Sequence, residues 1–443
     1  MTQEPTPFKD IPAESRFRQG DVLVLFGELF GRGYASGLVR AARTAGMQVI
    51  GTTVGRRDDA GRLRPLLPDE LSTAEAVLGG PVVNIPILAG FDRDAPEGGP
   101  TPTDLVEEMS VESWQTHALD FDYIAECQRI ADERFDAALK AVFARLEVMI
   151  PDGRNVVFAH AMAGGIPRAK VFMAIANRIY KGRGSRYLSS QSLLESDLGR
   201  LVLKNFDAVT ADSFGAIVQH GTALRQRIEA SGARASYTAY GYHGTRILIG
   251  GQYRWQTYTH YTQAFAKMRL EHLAQEAWAN GIAATVFNCP EIRTDSSDVF
   301  QGIELSLLPL LDGLQHTGNT TVSETLWRSC GALLKDGVSL SDVVSMVNDY
   351  HADPVIAGYR DFANWPLPNA PEQVEKTVGT AQQIIAMHQS RNRLVGDELS
   401  QHVVNAVGQL MLRSASRPSM PVGWIDHDLV AQEIVSAREK TVG

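Results

Sequence analysis

Cysteine is scarce in this chain. Cys127, Cys289 and Cys330 are the only three in 443 residues, too few and too scattered for a disulfide framework or a clustered zinc site. A cationic excess is also missing. Lys plus Arg number 42 against 51 for Asp plus Glu, a formal charge of −9. That balance gives no general attraction to nucleic acid or anionic membranes, although a local basic patch can still hold a phosphate. No run approaches the roughly 20 apolar residues needed to cross a bilayer, so no membrane span is expected. The first twenty residues hold Pro5, Pro7, Lys9, Asp10 and Pro12 and lack the apolar core of a signal peptide. A soluble protein of a reducing, cytoplasmic compartment is therefore expected. His160, His243, His260 and His272 form no close metal-ligand motif. Ser189, Ser190 and Ser192 lack the strand-elbow context of a hydrolase nucleophile.

What is present is a globular composition, 44% hydrophobic and 21% charged. The length permits two or three domains, or one enlarged α/β domain. Residues 21–26 form a short apolar run that suits a strand buried on both faces. A glycine-rich turn follows, then residues 34–44 with helical character, Gly46 as a helix terminator, and a second strand over 47–53. Strand, turn, helix and strand fit a right-handed crossover in a parallel sheet. The pattern recurs downstream: strands over 81–88, 155–161, 235–240 and 285–288, and helices over 121–149 and 262–279. Pro86 weakens the first of these strands.

This alternation predicts an enlarged Rossmann-type doubly wound parallel sheet. Residues 56–70, 90–104 and 181–196 read as surface excursions. After residue 314 helical patterns dominate and clear strands disappear. The expected organisation is an N-terminal extension (1–20), a catalytic core (21–314) and a helical region packed on that core (315–443). Glycines and catalytic candidates at opposite ends of the core bracket one sheet, so a cut between them would divide the site.

Gly27, Gly31 and Gly33 have the spacing G-x-x-x-G-x-G, with Arg32 inside the turn. Glycines there allow a tight turn and close backbone approach to a pyrophosphate, whose charge is favoured at a helix N-terminus. The flanking strand and helix favour cofactor binding over a mere tight connection. After the second strand, Arg56 and Arg57 stand where an acidic residue would argue for NAD. Arginine makes directional contacts with the extra phosphate of NADP, so the reading favours NADPH over NADH. The alternative is a solvated loop in which both arginines face Asp58 and Asp59.

Tyr258 and Tyr261 precede Lys267 on or just before the helix predicted over 262–279. A phenol can supply a proton or stabilise an oxyanion, and a nearby ammonium can bind ribose hydroxyls and lower the phenol pKa. The Tyr-x-x-x-Lys spacing of short-chain dehydrogenases would need a tyrosine at Gln263. Tyr258 lies nine positions before Lys267, half a turn out of phase, and reaches the same site only from the loop or first turn. Tyr261 is the reserve candidate.

Tyr258-x8-Lys267 resembles the signature of the larger trans-2-enoyl-ACP/CoA reductases, the V-type enoyl reductases related to short-chain dehydrogenases. The run from Gly31 to Ala42 is similar to that family's cofactor turn and helix. Ile292-Arg-Thr294-Asp-Ser296-Ser297 resembles its substrate-side segment. A divergent enoyl-ACP reductase family, including those of polyketide-type pathways, is equally compatible. The resemblance implies that Tyr258 assists reduction, Lys267 holds the nicotinamide ribose, and Tyr240 matches an additional active-site tyrosine. The family's acidic residue after the second strand is absent, in line with NADPH. Thr294 and Ser296 are candidates for cofactor contacts, with helix capping as their alternative role. The implied partner is an acyl thioester on acyl carrier protein or coenzyme A, and a homo-oligomer stays open.

Two other functions remain. A carbonyl or β-ketoacyl reductase, or alcohol dehydrogenase, on the same fold would use Thr245, thirteen positions before Tyr258. A non-catalytic dinucleotide-binding scaffold would explain the glycine turn without a catalytic tyrosine.

Overall fold

The computed structural model describes residues 8, 11–29, 31, 33–165, 169–257, 262–294, 297, 302–318, 320–360 and 367–442. Seven parallel strands form the central sheet: β1 (Val22–Phe26), β2 (Gln48–Thr53), β5 (Val82–Pro86), β6 (Val156–His160), β7 (Ala235–Gly241), β10 (Ala284–Asn288) and β11 (Val422–Trp424). Two short antiparallel pairs complete the strands: β3 (Arg56–Arg57) with β4 (Leu63–Arg64), and β8 (Gly244–Ile249) with β9 (Gln252–Thr257).

The spatial order in the central sheet is β11-β10-β7-β6-β1-β2-β5. β1 sits at the switch point, with β2 on one side and β6 on the other. In such sheets ligands bind in the crevice outside the carboxyl ends of the strands at that switch. Every residue of β1, β6 and β10 is buried, because helices cover both faces. Largely apolar runs rather than strict alternation are the consequence, broken by His160 in β6 and by Thr285 and Asn288 in β10. The expected doubly wound α/β sheet with C-terminal helices is therefore present.

On one face the Phe121–Met149 helix lays Phe135, Leu139, Val142, Phe143 and Leu146 against Val24, Phe26 and Phe158. Asp120 caps that helix through the backbone N–H groups of Asp122 and Tyr123, as its short acceptor side chain favours. On the other face, the Tyr34–Thr44 helix is sandwiched between the sheet and the Val395–Ser416 helix. These two helices meet backbone to backbone. A Cβ on Gly37 would lie 1.9 Å from the Val404 carbonyl oxygen, and one on Gly408 would lie 2.2 Å from the Gly37 carbonyl carbon.

Several excursions differ from the sequence reading. Residues 56–64 fold back as the β3/β4 pair. The 90–104 connection is partly internal: Phe91 is buried, and Arg134 donates to the carbonyls of Leu88 and Gly90 and to Asp94. Ser190 is buried and exchanges hydrogen bonds with Asn369, so the 181–196 segment is tied to the C-terminal region. A strand also lies where the sequence suggested none. β11 comes from residues 422–424 and pairs with β10, while Phe8 donates its N–H to the Trp424 carbonyl and stacks on Phe287. Pro86 ends the opposite edge strand, after a register shift at Thr52/Thr53, a position where a missing N–H is tolerated. No helix among the described residues is long and apolar enough to cross a membrane.

Candidate active site

The crevice begins where β1 ends. Gly27 has φ 111° and Gly33 φ 136°, conformations that disfavour a side chain. The Gly27 N–H donates to Thr52 Oγ1 at 3.0 Å, which fixes the turn to β2. Gly31 and Gly33 have open space where a Cβ would stand. The Tyr34–Thr44 helix that follows has no side-chain cap and no acid in its first turn. Its first N–H groups and the positive end of its dipole are therefore available to an anion. Open glycines leading to an uncapped helix end match the needs of a dinucleotide pyrophosphate. Arg32 lies outside the described residues.

Glu28 was not singled out in the sequence, yet it occupies the position between the ends of β1 and β2. One carboxylate oxygen accepts from Thr53 Oγ1 (2.6 Å), the Val54 N–H (3.2 Å) and Arg56 (2.7 Å). An acid thus lies at the end of β2 in space, brought there by the glycine turn. Its signal was the glutamate inside the G-x-x-x-G spacing. Arg57 lies 3.7 Å from Asp94 and donates to the Gly61 carbonyl. Asp58 pairs with Arg62 instead of either arginine.

The opposite wall is built on β6, β7 and β10. Lys267, on the Thr262–Ala279 helix, is only 4% exposed and donates to the Tyr240 carbonyl at 2.5 Å. Burial lowers its pKa to about 8, with Cys289 acting weakly in the other direction. The Cys289 thiol is pushed up by burial. His160, at the end of β6, is held neutral by burial and by the Lys267 ammonium, its pKa lowered to about 3, and shares a hydrogen bond with Ser213. Tyr240 stacks on Tyr34 with ring centroids 5.9 Å apart. The Tyr34 hydroxyl donates to the Pro290 carbonyl. Burial raises the Tyr240 phenol well above its ordinary value, and its hydroxyl has no hydrogen-bond partner among the described residues. Tyr34 is a second residue the sequence reading passed over; only its place directly after the glycine turn hinted at it.

A buried acid lies next to this wall. Glu291 accepts from the Tyr242 hydroxyl at 2.7 Å, and burial raises its carboxyl pKa. Thr294 donates its N–H to Ser297 Oγ at 2.7 Å, with the two hydroxyls 3.3 Å apart; this is the local bonding of a capped turn. Thr245 is buried and donates to the Ile425 carbonyl, which removes it from the crevice chemistry of a ketone reductase. Tyr258, Tyr261, His260 and Ser296 lie outside the described residues. β9 ends at Thr257 and the Lys267 helix begins at Thr262. No cluster of potential metal ligands occurs among the described residues.

The sequence from residue 4 to residue 434 matches the family model of the enoyl-acyl carrier protein reductase FabMG. A solved apo structure of FabMG, a novel type of enoyl-acyl carrier protein reductase, superimposes with a TM-score of 0.96 at 52% identity, over 98% of this chain and 99% of that one. An NADH-bound FabMG structure superimposes with a TM-score of 0.79 at 44% identity, again over 98% and 99%. No curated protein matches the sequence at a significant level. The fold and the match together make this chain an enzyme, an oxidoreductase of the enoyl-acyl carrier protein reductase class. It belongs to the FabMG family.

The NADPH expectation is overturned by the relative that holds NADH. The physical reason lies at the end of β2. Arg56 is engaged by Glu28 and Arg57 faces Asp94, so neither cation is reserved for a 2′-phosphate. A phosphate there would also meet the Glu28 carboxylate, a like-charge contact.

Proposed function

We propose that this enzyme uses NADH to reduce the carbon–carbon double bond of a trans-2-enoyl thioester carried on acyl carrier protein. The observation that carries the reading is the buried Lys267 ammonium on the far wall of a crevice whose near wall is the glycine cradle. Bound NADH supplies a hydride to the β-carbon of the thioester. The uncapped helix end holds the pyrophosphate, and Glu28 accepts hydrogen bonds from the adenosine ribose hydroxyls. Lys267 binds the nicotinamide ribose. Tyr258 donates to the thioester oxygen as enolate charge develops, and a proton taken from solvent at the α-carbon completes reduction. Tyr240 and Tyr34 form an aromatic wall beside the reacting atoms.

Anaerobic mixing with NADH and crotonyl or longer enoyl thioesters tests the activity, and oxidation of NADH is the expected result. Protein shown to bind NADH that oxidises none of it across chain lengths sinks the reading. Reduction of a β-ketoacyl thioester without enoyl turnover would assign the site to ketone chemistry instead. Glu28→Gln tests the ribose contact separately. Weakening hydrogen bonds to a charged acceptor costs about 1.5 kcal/mol or more, so KM for NADH should rise about tenfold. The preference for NADH over NADPH should narrow at the same time. Unchanged values for both cofactors would exclude Glu28 from the ribose site.

A further inference from the structure

The charge of this chain is unevenly spread. Between residues 161 and 194 there is no Asp or Glu, although at 51 acids in 443 residues a stretch of that length would ordinarily carry about four. The same stretch holds six cations: Arg168, Lys170, Arg178, Lys181, Arg183 and Arg186. It leaves the crevice directly after His160 at the end of β6 and contains the Lys170–Lys181 helix.

That helix has two distinct faces. Val171, Phe172, Ile175 and Ile179 are buried in an apolar cluster that also contains Ala266, the neighbour of Lys267. On the other face Lys170 is exposed, Met173 is 41% exposed, and Asn177 and Lys181 follow at helical spacing. Arg186 folds back onto this face through Asn177 Oδ1, and Arg178 donates to the Arg186 carbonyl. Arg183 is bridged to Glu375 at 3.2 Å, but both side chains are substantially exposed, and such a pair is worth little in water. The surface is therefore cationic with an exposed methionine in it, in a molecule that is anionic as a whole.

We infer that the outer face of the Lys170–Lys181 helix, with Arg183 and Arg186, is the docking surface for an acidic acyl carrier protein. This rests on the carrier-linked substrate proposed above. A net charge of −9 would repel an acidic partner from most approaches. A local cationic strip, on the segment that follows the end of β6, opposes that repulsion, raises the association rate and orients the carrier. Met173 supplies an adaptable apolar contact inside the charged rim.

The triple variant Lys170→Glu/Arg183→Glu/Arg186→Glu tests the surface. KM for crotonyl-carrier protein should rise at least about tenfold with kcat little changed, whereas crotonyl-coenzyme A should be reduced with unaltered constants. Equal KM values on the carrier substrate, or equal losses on both substrates, overturn the proposal. A second measurement needs no variant: KM for the carrier substrate on the parent enzyme should climb between 50 and 500 mM salt, as screened attraction requires. A flat salt dependence also overturns it. Direct binding of holo-carrier protein at low salt should weaken in the triple variant, and unchanged binding counts against the surface whatever the turnover. Crotonyl-coenzyme A turnover reads the reaction and carrier binding reads the surface, so failure of one is not mistaken for failure of the other.

Discussion

Lys267→Met is expected to lower NADH-dependent turnover at least a hundredfold while leaving a protein more resistant to unfolding than its parent. The two effects share one cause. The ammonium is almost wholly buried and donates to the Tyr240 carbonyl, and burial brings its pKa down to about 8 from an ordinary 10.5. At neutral pH the charged form is retained at a cost of up to about 3 kcal/mol relative to an unfolded lysine. Methionine, similar in length and apolar, removes that cost. The sign follows from proton counting. The unfolded chain holds more protons on this lysine between pH 8 and 10.5, so the parent gains stability as pH rises through that window. The advantage of the variant should therefore be greatest below pH 8 and vanish above 10.5. Activity runs the other way, because the proposed ribose contact and the electrostatic support of the developing enolate need the charge, and turnover of the parent should fall above about pH 8. Urea unfolding at pH 7 and 10, beside initial rates with saturating NADH, checks both halves. Turnover within threefold of the parent would remove Lys267 from the site, and a less stable variant would contradict the burial argument.

Gly408→Val should prevent folding or cost at least about 3 kcal/mol, the upper end for overpacking. A side chain at Gly408 meets the main chain of Gly37, not the movable end of another side chain. Two helices must then separate, one of them the helix whose N-terminus closes the glycine cradle. Whatever folded fraction remains should bind NADH more weakly, because the helix end proposed to hold the pyrophosphate has shifted. Gly379→Ala, within the Pro371–Met387 helix and with open space where its Cβ would stand, is the control. It should be neutral or stabilise by about 0.5–1 kcal/mol, as glycine does poorly in a helix interior. Denaturant midpoints of soluble protein measure both. A Gly408→Val protein of parental stability would mean that the two helices are not in main-chain contact.

Much of this architecture could be read from the sequence, and the reasons are local. β1 is apolar throughout, and β6 is apolar up to His160, because both their faces are covered. Gly46 ends one helix, and the helices Tyr34–Thr44, Phe121–Met149 and Thr262–Ala279 have the limits expected of them. The Lys267 helix could be placed because the strands over 235–240 and 285–288 were visible on either side of it. What stayed hidden depends on neighbours distant in sequence. β11 is Val-Gly-Trp, too short for any periodic pattern, and exists because β10 offers a free edge. The β8/β9 pair bends back over residues 244–257 and carries mixed polar and apolar side chains on a small separate sheet. An acid was sought after β2, in chain order, whereas Glu28 reaches the end of β2 from the end of β1. Arg56 and Arg57 suggested a phosphate because their carboxylate partners, 28 and 37 positions back and ahead, were invisible in a linear reading.

The late strand also bears on how the molecule is made. β10 is complete at residue 288, yet its edge partner arrives only at residue 422. At about 5–20 residues per second a ribosome needs roughly 7 to 27 seconds to cover that interval. Throughout it the nascent chain presents an apolar, unpaired strand edge, the kind of template that joins with a neighbouring chain. Crowded polysomes and fast overexpression should therefore favour intermolecular pairing at β10, and slower synthesis or a chaperone that shields this edge should raise the yield of soluble enzyme.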